Sequence, residues 1–468
     1  MTKNVPDKTY LFEEAPIPKA VLSFAVPTII TQLINVVYNY ADTWYVGRTG
    51  NAGAVAAMSV TFPIFVILSA LANLFGVGGA SLISRLLGQK KPEEARGVFA
   101  FSLYGGLASA LLYMIVIAFF RTPLIYAIGG DENSFSYAYD YMFYTMVLGA
   151  VPTLGNVLLG HLIRSFGASK EAGIGMSLGG ILNIALDPLF MFVLLPKGME
   201  VTGAAIATMI SNTASFLYFV IYLLRHRDHP VFTIRPSEIS FRNGIPGQVL
   251  TIGFPAALQT SLAMVSNILA NVFMRGYGTA AVSGLGVAKK INMIAFNTTM
   301  GFTIGVSPLV GYNYGSGNFK RMKQAILFTG VIAFSFNLLC LGVFYVFSQD
   351  LVRFFINEPE SIAYGSGILK IICFAAPLAV ITFLINAVFQ SAGRRTTSLL
   401  LSTMRKGVVD IPLMALFAFA FGMEARGVAL ATPAAEIISS SAAIVLFVRF
   451  LKSLDRKVAE SNGKELSK

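Results

Sequence analysis

Twelve apolar runs, each separated from the next by a polar break, set the pattern of the chain. They fall at about 20–46, 55–84, 97–120, 137–163, 172–195 and 203–224, then at about 249–275, 281–312, 324–347, 364–390, 397–421 and 427–450. A helix crosses the hydrocarbon core of a bilayer with about 20 apolar residues. The runs are too long for strands, and they lack the ~10-residue alternation of an outer-membrane barrel. The pattern predicts an all-α polytopic membrane protein with twelve transmembrane helices. A basic linker at 225–247 divides the runs six and six. The predicted organisation is an N-terminal segment (1–19), an N-lobe (20–224), the linker (225–247), a C-lobe (248–451) and a tail (452–468).

The halves resemble each other. Gly198-Met-Glu-Val-Thr-Gly-Ala-Ala-Ile-Ala-Thr208 matches Gly422-Met-Glu-Ala-Arg-Gly-Val-Ala-Leu-Ala-Thr432 at seven of eleven positions, a shift of 224. Pro27 and Asn39 pair with Pro255 and Asn267 at a shift of 228, and Ala54, Val55, Gly78 and Gly88 pair with Ala281, Val282, Gly305 and Gly315 at 227. A near-constant shift through spans and loops is an internal repeat. Each half has an even number of spans, so both enter the membrane from one side. The expected architecture is therefore two pseudo-symmetric parallel six-helix bundles related by an axis along the membrane normal, an arrangement typical of alternating-access transporters.

Composition agrees. Of 468 residues, 55% are hydrophobic and 12% charged, against about 25% charged in a soluble domain. Mean hydropathy is +0.69 and formal net charge +12. With the N-terminus taken as cytoplasmic, the inside segments hold 24 Lys and Arg, the outside segments 6, and five lie in or near the spans. That bias predicts both termini inside. It also accounts for the basic charge without nucleic acid. Cys340 and Cys373 give no disulfide framework or metal spacing. The stretch ahead of the first apolar run is polar and does not read as a signal peptide.

Charges inside spans carry the chemistry, because a mid-bilayer charge costs ~3 kcal/mol and usually faces a cavity or partner. Asp42, Asp187 and Asp410 are singled out. Asn183 and Asp187 are four apart and share a helix face. Pro188 removes a backbone donor and frees carbonyls locally. Asn156 offers a further oxygen. Asp42, Asn183 and Asp187 are expected to bind Na⁺, or to hold a proton on one acid. The repeat mate of Asp42 is Ala270 and that of Asp187 is Ile411, so the acid pair belongs to the N-lobe alone. Asp410 is expected to pair with Arg405 or Lys406, one turn back. His161 is expected to be structural, with a proton relay as the alternative. Lys289 and Lys290 either line the outer cleft or snorkel. Tyr38, Tyr40, Met58, Phe62, Phe65, Phe273, Met293 and Phe296 are candidates for a cavity binding planar cations by stacking and cation–π contact. Walker A, HExxH and potassium-filter patterns are missing, which argues against ATP hydrolysis, a metalloenzyme and a potassium-selective channel.

Four stretches resemble the multidrug and toxic-compound extrusion (MATE) transporters. They are the Pro27-containing first span ending in Ala41-Asp42-Thr43-Trp44-Tyr45-Val46-Gly47, the Arg164-Ser-Phe-Gly167 loop, Asn183-Ile-Ala-Leu-Asp187-Pro188-Leu189-Phe190, and Gly203-Ala-Ala-Ile-Ala-Thr208. The likeness covers about 20–450 and is of the DinF-like/MepA-like kind, with the carboxylates in the N-lobe. It implies export of cationic or amphipathic compounds by antiport against H⁺ or Na⁺, with no organic cofactor, from a monomer in the plasma membrane. It further implies an ion site of Asp42, Asn156, Asn183, Asp187 and Thr208; some members of the family carry acids in the seventh and tenth spans, whereas the seventh, eighth and tenth spans here hold none, so no C-lobe ion site of that type is expected. A lipid-linked precursor flippase would favour a strongly cationic cavity, and the N-lobe acids argue against it. An intramembrane aspartyl protease would need a Gly-x-Gly-Asp pattern, and none is present. A passive channel is the remaining alternative.

Overall fold

The structure, a computed structural model, describes residues 9–49 and 52–465. Lys3, Lys8 and Lys468, counted above among the inside charges, lie outside the described residues. The side chains of Ala54, Val55, Lys457 and Lys464, used above for the repeat and the inside charges, lie outside them too. Helices follow the apolar runs. In the first half they are α1 (Thr9–Glu13), α2 (Ile17–Arg48), α3 (Ala52–Gly88), α4 (Pro92–Ala127), α5 (Glu132–Met142), α6 (Ala150–Arg164), α7 (Ser169–Leu189) and α8 (Glu200–Arg225). In the second half they are α9 (Ile245–Arg275), α10 (Thr279–Gly315), α11 (Phe319–Val346), α12 (Ser348–Arg353), α13 (Pro359–Ile372), α14 (Ala375–Ser391), α15 (Arg395–Thr403), α16 (Asp410–Ala415) and α17 (Glu424–Glu465).

Among the described residues, nine helices are long and apolar enough to cross a membrane. Two further crossings are bent pairs, α5 with α6 at 51° and α13 with α14 at 45°. The first pair meets through a π-helical turn, Phe143–Leu148, and the second at Cys373 and Phe374. The remaining predicted span falls on α15 and α16, joined by the π segment Met404–Val409 and followed by another, Leu416–Ala420. Arg405, Lys406 and Asp410 interrupt its apolar run, 397–421. The helices overrun the apolar runs by a turn or so at several ends. The largest overrun is α17, which passes the predicted boundary at 451 and runs helical to Glu465.

Each half packs its own core. One runs through α3, α4, α6 and α8, the other through α9, α10, α13, α16 and α17. The halves meet along two seams, α3 against α9 and α2 against α10. At the end of the spans where the Lys/Arg-rich loops lie, a Cβ on Gly88 would strike the Tyr312 carbonyl, and one on Gly315 the Arg85 carbonyl. These contacts are repeat mates exchanged, since Gly88 pairs with Gly315 and Arg85 with Tyr312 at the same shift of 227. Such reciprocity is what an axis along the spans produces, and it requires parallel repeats. α1 lies across this end of the seam. Phe12 stacks on Tyr312 with ring centroids 4.6 Å apart, and Arg321 Nε donates to the Phe12 carbonyl at 2.6 Å.

Candidate functional site

α2 packs along α7, and small polar residues set their register. Thr31 Oγ1 lies 3.2 Å from Ser177 Oγ and donates to the Gly173 carbonyl at 3.2 Å. Both helices run in the same direction. Asp42 stands eleven positions beyond Thr31 and Asp187 ten beyond Ser177. A helix rises by a fixed step per residue, so near-equal offsets from a shared contact bring the two acids to the same depth. They lie within each other's electrostatic range. Asp187 is fully buried, whereas Asp42 is half-buried.

Around Asp187 the polar groups form a chain across α6, α7 and α8. Asn183 Nδ2 donates to Thr208 Oγ1 at 3.2 Å, Asn212 Nδ2 donates to the Thr208 carbonyl at 3.0 Å, and Asn156 Nδ2 donates to Asn212 Oδ1 at 3.2 Å. Each amide therefore spends an N–H on this chain, and acceptors are left over. Both Asp187 carboxylate oxygens, Asn183 Oδ1 and Asn156 Oδ1 are buried without a hydrogen bond of normal geometry. Buried acceptors are ordinarily satisfied. A surplus of oxygens beside two carboxylates suits a small cation or a proton. Beyond Pro188 the helix widens into a π turn, Phe190–Leu194, a feature frequent at functional sites.

Sequence reasoning misses three neighbours. Tyr38 lies beside Thr208 and within range of both acids, and Tyr141, just before the bend between α5 and α6, shares their field. The sequence offers Tyr38 only as a cavity candidate, and nothing in it marks Tyr141. Asn212 is legible, being four positions after Thr208 on one face.

The cavity candidates separate. Met293 and Phe296 line a C-lobe cavity of about 220 Å³. Met58 packs with Val46, Met191 and Ala204, while Phe65 packs on the N-lobe core and Phe273 on that of the C-lobe. Phe62 is 54% exposed. Tyr40 bridges the lobes by donating to the Lys290 carbonyl, with its ring 5.9 Å from that of Phe355. His161 lies against Gly76 and lines a cavity of about 360 Å³ between the lobes.

In the C-lobe, Lys406 Nζ meets Asp410 Oδ2 at 2.8 Å, and Ser266 Oγ donates to the same oxygen at 2.6 Å. Arg405 does not join them. Its Nε donates to Glu436 Oε1 at 2.6 Å, and both side chains are buried. Glu436 is a fourth acid inside the spans. The test that selects the other three also finds it, in the apolar run 427–450. Lys289 Nζ donates to Asn267 Oδ1 at 3.0 Å and lines the C-lobe cavity.

Two six-helix lobes about a pseudo-twofold axis, with a buried acid site in one, define a transporter-type membrane fold. The MatE family model matches residues 27–189 and 255–416, more than half of the chain, as two copies that begin on the repeat mates Pro27 and Pro255. The chain belongs to the MATE family. Among its relatives, the "Multidrug export protein MepA" of Staphylococcus saprophyticus is 30% identical over 442 residues, 94% of this chain and 95% of the relative. The protein of the same name in Staphylococcus aureus strain MRSA252 is 29% identical over the same shares. Among solved structures, one of MATE in the straight conformation has a TM-score of 0.90 at 24% identity, covering 97% of this chain and 100% of the other. An outward-facing MATE family transporter has a TM-score of 0.87 at the same identity and coverage. The chain is a multi-pass membrane protein of this fold.

Proposed function

We propose that the protein is a secondary active multidrug efflux transporter. It exports cationic and amphipathic compounds by alternating access, in exchange for H⁺ or Na⁺. The observation that carries this reading is Asp187, fully buried with neither oxygen in a hydrogen bond of normal geometry, beside the Asn183–Thr208 pair and within electrostatic range of Asp42 on α2. Asp42, Asn156, Asn183, Asp187 and Thr208 hold the coupling ion. No organic cofactor takes part.

Coupling needs an ion that favours one facing state and a drug that favours the other. An ion shared by Asp42 and Asp187 draws α2 towards α7. α2 also forms one of the two inter-lobe seams, so its bending or repacking changes the cleft and lowers drug affinity there. The loop charges support a plasma-membrane orientation with both termini cytoplasmic. Two complete lobes in one chain support a monomer as the working unit.

Efflux of a cationic dye from vesicles, under a pH or a Na⁺ gradient imposed one at a time, tests the reading. One gradient drives export in the parent protein, and Asp187→Asn abolishes it at unchanged expression. Undiminished efflux in that variant excludes the scheme.

A further inference from the structure

The internal repeat places a counterpart of the acid site in the C-lobe. At the shift of 228 that pairs Asn39 with Asn267, Tyr38 corresponds to Ser266. At the shift of 224 that pairs Pro188 with Pro412, Thr208 corresponds to Thr432 and Asn212 to Glu436. Tyr38, Thr208 and Asn212 belong to the neighbourhood of Asp187. Ser266 and Thr432 line the C-lobe cavity of about 220 Å³, and so does Asp410. Each lobe therefore sets a carboxylate of its fifth span among matching positions of its first and sixth.

The lobes differ one turn before that carboxylate. Asn183 stands four residues ahead of Asp187, and Lys406 four residues ahead of Asp410. The C-lobe pair is displaced by one position from the strict mates, Gly407 and Ile411, on the stretch that leaves the π segment Met404–Val409. Asn183 gives its amide to Thr208, and neither Asp187 oxygen makes a hydrogen bond of normal geometry. Lys406 turns to its acid instead. Its Nζ lies 2.8 Å from Asp410 Oδ2, and Ser266 Oγ donates to the same oxygen at 2.6 Å. Asp410 is 1% exposed, and a buried carboxylate needs a cation. Asp42 has Ala270 as its mate, so one ammonium balances this position. The C-lobe supplies from its own chain what the N-lobe takes from solution.

Oxygens suited to a cation remain there. Asn292 spends its amide on the Ile372 carbonyl at 3.2 Å. Asn292 Oδ1 and Asp410 Oδ1 are buried without a hydrogen bond of normal geometry, and both residues line the cavity. The other cations on its wall are engaged elsewhere, Lys289 with Asn267 and Arg405 with Glu436.

We propose that the C-lobe holds a second cation site, permanently filled by the Lys406 ammonium. The lobe is thereby fixed in a loaded state, and the coupling ion is exchanged at the N-lobe alone. Without the ammonium, Asp410, Ser266, Thr432 and Asn292 offer Na⁺ a carboxylate and three neutral oxygens, the ligands a hard cation takes. The inference rests on the N-lobe ion site of the efflux reading and gives the C-lobe an occupied one of its own.

Thermal unfolding of the purified full-length protein, in Na⁺ against choline at fixed pH, provides the test. Asp187→Asn removes the N-lobe response and serves as the background. Adding Lys406→Gln is expected to introduce a Na⁺-dependent rise in the midpoint of about 2 °C or more. Further addition of Asp410→Asn abolishes that rise, and Lys406→Arg, which keeps a tethered cation, never shows it. Where loss of the ammonium unfolds the protein, the converse variant decides. Asn183→Lys in the otherwise parental chain copies the C-lobe spacing, and it is expected to raise the midpoint without ion and to lose the parental response to Na⁺ or acid. A parental ion response with no Na⁺ gain in folded Lys406→Gln protein overturns the inference alone. A gain that survives Asp410→Asn, or an Asn183→Lys protein that keeps the parental response, overturns it likewise. A parent that responds to neither Na⁺ nor acid overturns the N-lobe ion site, and the inference with it.

Discussion

Asn183 donates its side-chain amide to the Thr208 hydroxyl at 3.2 Å, tying α7 to α8, and keeps its own carbonyl oxygen free of any donor. The bond fixes which end of the amide is spent and which remains for a guest. Thr208→Ala takes this acceptor away from the buried Asn183 NH₂, at a cost of about 1–3 kcal/mol. Thermal unfolding is expected to show a lower midpoint and a smaller stabilisation by Na⁺ or by acid, whichever ion couples. Thr208→Ser keeps the hydroxyl and should restore both. A Thr208→Ala protein with parental midpoint and parental ion response would remove this residue from the site.

Asp187 and Asp42 should differ in their effect on stability. Asp187 is fully buried and its oxygens make no hydrogen bond of normal geometry, so its charge is poorly compensated when no ion is bound. Asp42 is half-buried and shares the field of Lys290. Asp187→Asn is therefore expected to stabilise the ion-free protein by about 1–3 kcal/mol, read as a higher unfolding midpoint, while ending transport. Asp42→Asn should end transport with little change in the midpoint. Equal thermal effects from the two variants would contradict the asymmetry.

Much of this is legible in the sequence because membrane helices advertise themselves through long apolar runs, and a repeat shows itself by a constant shift. The acids Asp42 and Asp187 stand out because charges are scarce in spans. What escapes does so for physical reasons. Glu436 itself is legible as an in-span charge, but its pairing with Arg405 is not, because the two stand on different helices and leave no local spacing to read. The bends at Gly149 and at Cys373–Phe374 are legible by contrast, since each stands three to four residues ahead of a proline, Pro152 or Pro377, whose ring disrupts the preceding turn. Met58 and Phe65 carry the side chains of a drug pocket, but helical periodicity does not say which neighbour covers them; here it is the N-lobe.

The Arg405–Glu436 pair is expected to behave as a unit. Both side chains are buried, and their bond is 2.6 Å long. Arg405→Met strands a carboxylate in the C-lobe and should cost about 3–5 kcal/mol. Combining it with Glu436→Met removes the stranded charge and should recover most of that loss, because apolar groups of similar size replace buried ion pairs at little cost. Unfolding of the two single variants and the double variant gives the coupling directly. Additive losses would mean that the two side chains contribute independently.

Gly88 and Gly315 test the closure of the seam. Each lets a backbone carbonyl of the other lobe, from Tyr312 or Arg85, approach where a Cβ would stand. Gly88→Ala should push the lobes apart at this end at a cost of about 1–3 kcal/mol, which shifts the balance of facing states about 5- to 150-fold. Alternation needs this end to close, so dye efflux from vesicles should fall by a similar factor. Dye binding to the purified protein should hold, because the change lies outside the acid site. A cysteine placed at Ser316, beside the Gly88 contact, should react faster with a water-soluble maleimide in the variant than in the parent. Gly315→Ala should behave alike through the mirrored contact. Parental efflux together with a parental labelling rate in both variants would show that the seam closes without this backbone approach.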